Sequence, residues 1–243
     1  MVTVFISILS DYNLRDTPHG CSDQWFFAAA EPIIINGDIM YTIYTIPGSC
    51  STGITVLLEK LQLAYTPVKR EDVTNYREIV PTNQVPALRL ADGQIITEGA
   101  AIALYLLEKH NSPMLPSELS RKAEFLRWLM FDYATLHPAY GRMFAIQNRT
   151  RMDEQERVNV LQQLASSVSG LWTILDRELE KKEFITGDKP TIVDYLATIY
   201  SSWGKSFPGI DILLEKNVQR LVKAVSALPE FQAGYKRENI EFK

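Results

Sequence analysis

The chain has 243 residues, 46% hydrophobic and 22% charged, which is enough to bury one large core or two modest ones without covalent staples. Its 25 basic and 29 acidic residues are interspersed and sum to -4, so no basic stripe suited to a phosphate backbone stands out, and nucleic acid is not an expected partner. No apolar run approaches the roughly 20 residues that span a bilayer; two cysteines without a CxxC pair (Cys21, Cys50) and three histidines without metal-motif spacing (His19, His110, His137) indicate neither a disulfide framework nor a metal site, and a reducing cytoplasm is the expected compartment.

The opening MVTVFISILS is apolar but lacks a positive leader region, and Asp11 ends it early, so it does not read as a secretory signal despite the later Ala28-Ala29-Ala30. From Asp11 to Gly37 there is no sustained period of 2 or 3.6. Residues 1–39 are therefore expected to be a peripheral, disordered extension or to lie outside the native product, with Met40 as an alternative start.

An ordered pattern begins at Met40. Residues 41–46 read as a strand from their Tyr, Thr and Ile content, and 50–64 as a helix with Ile54, Leu57, Leu58 and Leu61 at i, i+3, i+4, i+7. Thr66 to Lys69, Ala87 to Leu90 and Gln94 to Thr97 read as further strands, the last two joined by an Asp92-Gly93 hairpin signal, and Ala100 to Lys109 as a helix. A β-α-β unit followed by a hairpin and a helix is the order of a thioredoxin-like mixed sheet, which makes 40–112 one domain. Pro113 and Pro116 mark a linker.

From 119 to 238 the periodicity is helical. One run carries Leu119, Ala123, Leu126, Met130 and Tyr133; a second carries Val158, Leu161, Ala165, Val168, Trp172, Leu175 and Leu179. Thr191 and Asp194 have the spacing of a capping box at the start of a third helix.

Cys50 falls at the start of the first helix, where unpaired amides and the positive end of the dipole favour a thiolate, so its thiol pKa is expected to fall. From position alone, a small buried hydrophobe is an equally good reading. Tyr44 and Ser51 compete with it as hydroxyl donors. Glu98 and Gly99 follow the fourth strand at a helix start, where the Gly99 amide can meet a carboxylate and Glu98 an ammonium group; a carboxylate serving only the dipole is the other reading of Glu98.

Three segments, Pro47-Gly48-Ser49-Cys50-Ser51, Asn83-Gln84-Val85-Pro86-Ala87-Leu88 and Thr97-Glu98-Gly99-Ala100-Ala101-Ile102, resemble glutathione transferases, most closely the bacterial beta class. With Leu136-His137 and Pro190-Thr191-Ile192-Val193-Asp194, the resemblance covers about 200 residues in the family's order. It implies an α/β thioredoxin-like N-terminal domain and an all-α C-terminal domain. It further implies an enzyme that binds glutathione as cosubstrate, without a metal, and transfers its thiolate to a small electrophile or exchanges it with a disulfide.

On the same resemblance, Cys50 and His137 are catalytic, with Ser51 as a further candidate. Ser49, Cys50, Gln84, Val85, Pro86, Glu98 and Gly99 hold glutathione, with Val85-Pro86 cis and the Val85 backbone free to pair with the peptide. Tyr140, Phe144 and Trp203, aromatic residues on helices expected to face the first domain, are candidates for the electrophile pocket, with plain core packing an equally good reading of Phe144; Trp203 keeps its beta-class counterpart's spacing from Asp194, and the resemblance implies a homodimer. Pro138 stands where relatives commonly carry Lys, Met130 where they often have Asn, and Gly99 where many have Ser. Because this fold also serves in regulators that have lost chemistry, a non-catalytic binding protein is the rival reading.

Overall fold

In the computed structural model, which describes residues 34–35, 38–149 and 151–242, the first pairing joins β1 (Ile34–Ile35) to β2 (Asp38–Ile39), antiparallel with Ile34 opposite Ile39. The sequence reading of 1–39 as a peripheral extension named no strand here; residues 36–37, between the two strands in sequence, lie outside the described residues. The expectations on residues 1–33 lie outside the described residues.

β3 (Tyr41–Thr45) is an inner strand of the sheet, with every residue but Thr42 buried. It runs parallel to β4 (Tyr65–Lys69), with Tyr41 opposite Tyr65, and antiparallel to β5 (Ala87–Arg89), with Ile43 opposite Leu88. β6 (Ile95–Thr97) completes the order β4-β3-β5-β6. The parallel pair needs a crossover, and α1 (Cys50–Lys60) supplies it. This helix is shorter than the sequence run 50–64 because the chain leaves helical geometry at Gln62, whose φ is +55°. A single turn, α2 (Tyr76–Ile79), follows β4, and α3 (Gly99–Lys109) follows β6.

α4 (Leu119–Phe131) begins at Glu118, whose carboxylate accepts from the amides of Ser120 and Arg121. A widened π turn, Asp132–Leu136, then carries the chain without a break into α5 (His137–Arg149). Pro138 gives a physical reason for the widening: it has no N–H to donate, and its ring would crowd the carbonyl four residues back in a regular helix. α6 (Glu154–Glu178) buries Leu161, Ala165, Val168, Trp172 and Leu175, the stripe read from sequence.

α7 (Ile192–Ser201) starts on the expected box, with Asp194 accepting from the Thr191 amide at 2.8 Å and the Thr191 hydroxyl at 3.1 Å. The other Asp194 oxygen accepts from the Ile185 amide at 2.8 Å. A short 3-10 turn (Ser202–Ser206), α8 (Lys216–Ser226) and α9 (Pro229–Arg237) complete the helical part. The small mixed sheet with its helices and this helical part are the two halves expected from the sequence. They meet along α1, which packs against both α7 and α9. At Gly53 the approach is so close that a Cβ would lie under 3.0 Å from the end of the Leu196 side chain, which would have to shift to admit one.

Candidate active site

Ser49 ends the turn after β3 and caps α1, accepting from the Ser51 amide at 3.2 Å. The Ser51 hydroxyl donates to the Ile46 carbonyl at 3.2 Å and accepts from the Ile46 amide at 3.1 Å. Its one proton being used, it must accept from the Ser49 hydroxyl at 2.8 Å. Ser51 is fully buried. Its placement as a hydroxyl donor to a substrate thiol is therefore corrected: it ties the turn to the end of β3. Tyr44 packs in a second cluster with Ile46, Tyr76, Val80, Val85 and Ala87, its hydroxyl accepting from Arg89 at 3.1 Å.

Cys50 heads α1 and is buried. Its thiol donates to the Val85 carbonyl at 3.5 Å, and the Val85–Pro86 bond is cis, as the resemblance implies. The Val85 carbonyl, expected to be free, is the partner of the thiol. The expected fall in the thiol pKa is overturned: burial pushes it up to about 12 and the Glu98 charge adds to the rise. The helix-start amides and the Ser49 hydroxyl pull the other way without winning. At neutral pH Cys50 is a thiol.

The loop before Val85 is braced from behind. The Tyr76 hydroxyl donates to the Gln84 carbonyl at 2.9 Å, and the Arg70 guanidinium donates to the Asn83 carbonyl at 3.3 Å. The Gln84 side chain itself is exposed. Glu98, also exposed, precedes α3 with φ +65°, a conformation that non-glycine residues enter at a cost, and it makes no side-chain cap. Gly99 is covered by Tyr133, whose ring and hydroxyl would lie under 3.0 Å from a Cβ at that position.

His137 sits edge-on to Tyr200 and Trp203, with ring centres 5.7 Å and 5.3 Å away. Burial lowers its pKa to about 4, so the imidazole rests neutral at physiological pH. Trp203 donates its indole N–H to the Gly48 carbonyl at 2.9 Å.

Phe144 and Trp203 line a cleft of ≈ 1430 Å³ that also touches Pro47, Gly48, Glu238 and Phe242. Cys50, Val85 and Glu98 do not line it; the cleft and the cysteine share the Pro47–Gly48 turn between them. Tyr140 is corrected as a pocket residue. It is fully buried, and its hydroxyl accepts from Trp172 at 2.9 Å, so it belongs to the core beneath the cleft.

A family model for the glutathione S-transferase N-terminal domain matches residues 48–109, which span the Cys50 helix, the cis-proline segment and Glu98–Gly99. An uncharacterised GST-like protein of Escherichia coli K12, YncG, is 32% identical over 217 residues, covering 83% of this chain and all of the relative. The chain belongs to the glutathione S-transferase family of enzymes. Glutathione S-transferase GstA of Escherichia coli O157:H7 is 25% identical, over 80% of this chain and 97% of its own. A sphingomonad glutathione S-transferase solved in complex with glutathione has the same fold, with a TM-score of 0.70 at 24% identity, covering 82% of this chain and 98% of that one.

Two residues beside the candidate site escaped sequence reading. Glu238, just past α9, is buried and accepts from the hydroxyls of Thr52 and Thr55, each at 2.7 Å, and from the Gly48 amide at 3.4 Å. Burial raises its pKa to about 7 against those three donors. An acid in a charged C-terminal stretch gives no sequence signal of this kind. Tyr133 reads in sequence as one more apolar position of a helix, and only its contact with Gly99 singles it out.

Proposed function

We propose that this transferase binds glutathione along the Ser49–Cys50 turn, the Gln84-Val85-Pro86 segment and Glu98–Gly99, and transfers its thiolate to small electrophiles. The observation that carries this reading is the meeting of Cys50 with the Val85 carbonyl. One buried thiol at a helix start faces the backbone of an extended segment on which a peptide can lie. The first amides of α1 favour negative charge beside Cys50, and its neutral S–H can turn from the Val85 carbonyl to donate to a thiolate placed against it. The exposed Glu98 carboxylate suits the glutathione ammonium group, and the α3 amides suit the neighbouring carboxylate.

In this reading residues 40–112 are the glutathione-binding domain and 119–238 the helical domain, with Phe144 and Trp203 as the wall that receives the electrophile. The motif resemblance further supports a beta-class homodimer working in the cytoplasm. Conjugation is favoured over disulfide exchange because exchange through Cys50 requires its thiolate, which burial opposes.

The test is binding to immobilised glutathione, followed by rates with a model aryl halide and with a mixed disulfide for wild type and Cys50→Ala. Retention on the column, conjugation, and a fall of about tenfold or more in conjugation on substitution support the reading. Unchanged rates would remove Cys50 from the mechanism. Failure to bind glutathione, with no activity on either substrate, would favour a non-catalytic member of the family.

A further inference from the structure

The π turn between α4 and α5 delivers Tyr133 onto the first residue of α3, and the phenol end makes the contact. A Cβ on Gly99 would fall under 3.0 Å from Tyr133 Cε1, Cζ and Oη, so the space a side chain at position 99 would occupy is filled by a hydroxyl from the helical domain. That hydroxyl is buried and has no hydrogen-bond partner among the described residues. A buried, unpaired donor is costly, by enough to mark the position as one built for an acceptor. The second half of the site is the start of α3, an eleven-residue helix whose cap residue, Glu98, gives no side-chain acceptor to the first amides.

Amides at a helix N-terminus and an orphaned hydroxyl above them ask for the same thing, a small anion with more than one acceptor oxygen. We infer that Tyr133 binds the γ-glutamyl carboxylate of glutathione, its hydroxyl donating to one oxygen while the amides of the α3 start hold the other. The inference rests on the reading that places the γ-glutamyl end of glutathione at Glu98–Gly99. Tyr133 is assigned to the carboxylate rather than the thiol end because its phenol oxygen crowds Gly99, while the Cys50 thiol is directed to Val85. Burial, with the Glu98 carboxylate adding to it, keeps the phenol protonated, as a donor must be. Glycine at 99 and tyrosine at 133 are then one device: the side chain is omitted on α3 so that the hydroxyl can arrive from the other half of the molecule.

The experiment is calorimetric titration of wild type and Tyr133→Phe with glutathione and with 4-aminobutanoyl-cysteinylglycine, the same peptide lacking the γ-glutamyl carboxylate. Phenylalanine should weaken glutathione binding by about ten- to a hundredfold, the range for a hydrogen bond to a charged group, and leave the truncated peptide unaffected. Its melting temperature should not fall, since the hydroxyl has no partner to lose. Equal weakening for both peptides, or none for either, overturns the inference while leaving glutathione binding intact. Wild type that binds no glutathione overturns the underlying reading and this inference with it. A second variant checks the device itself: adding Gly99→Ser to Tyr133→Ala restores a hydroxyl on α3 and should bind glutathione more tightly than Tyr133→Ala alone; no recovery counts against it.

Discussion

Trp203 Nε1 donates to the Gly48 carbonyl across 2.9 Å, a bond between residues 155 positions apart, so the helical half of the molecule holds the turn that presents Cys50. Glu238 grips the same glycine through its amide, and Thr52 and Thr55 of α1 besides. The active-site turn is thereby fixed from outside its own domain on both its donor and its acceptor side.

Replacing Trp203 with Phe keeps most of the ring packing and removes that bond. Gly48 is only partly buried, so its carbonyl can turn to water, and the loss should be near 1 kcal/mol in stability. Glutathione saturation should suffer more visibly, with KM rising about fivefold as the turn loosens. Urea unfolding and initial rates against glutathione concentration measure both, and a wild-type KM in the variant would show that the turn does not depend on the bond.

Glu238 sets a pH dependence whose sign follows from its raised pKa. The unfolded carboxyl titrates near 4.3, the folded one near 7. Below the first value the group favours neither state. Between the two the unfolded chain releases its proton and the folded one retains it, so stability is lost as pH rises, and above about 7 the loss is complete. A shift of this size amounts to on the order of 4 kcal/mol. Glu238→Gln removes the slope: the stability of wild type relative to the variant should fall between pH 4 and pH 7 and then level off. Denaturant midpoints across that range test it, and a flat difference would place the carboxylate in water.

The fold was legible where chemistry repeats along the chain. The Ile54, Leu57, Leu58 spacing of α1, the Asp92-Gly93 hairpin and the Thr191/Asp194 box each encode their geometry in a few neighbouring residues. What stayed hidden depends on distant contacts. The fate of the Cys50 proton could not be read from its place at a helix start, because burial in the folded protein outweighs the local amides. Ser51 reads as a free hydroxyl until its ring of bonds to Ile46 and Ser49 is seen. Tyr140 and Phe144 stand one helical turn apart, yet one is core and the other cleft wall.

His137 should leave no trace in the pH–rate profile at neutral pH. Its imidazole is held neutral down to about pH 4 by burial among aromatic rings, so it neither gains nor loses charge between pH 6 and pH 9. Wild type and His137→Asn should therefore give profiles of the same shape over that range. A limb near pH 6.5 that is present in wild type and absent in the variant would restore the histidine as a proton relay.

Asp132 opens the π turn beside Tyr133, fully buried, with neither carboxylate oxygen hydrogen-bonded among the described residues. Burial, reinforced by the negative charge of Asp194, holds its pKa well above the ordinary carboxylate range. As a raised acid it favours the folded state least at high pH: the two states are matched below about pH 4, and stability declines as pH climbs from there towards the folded pKa. Asn cannot ionise, so Asp132→Asn should compare poorly with wild type at pH 4, where two amide protons replace one carboxyl proton, and gain on it steadily as pH rises to 8. Thermal melts of the two proteins at pH 4, 6 and 8 read the trend directly. A difference in melting temperature that stays constant across the three would mean that Asp132 is charged in the folded protein and paired.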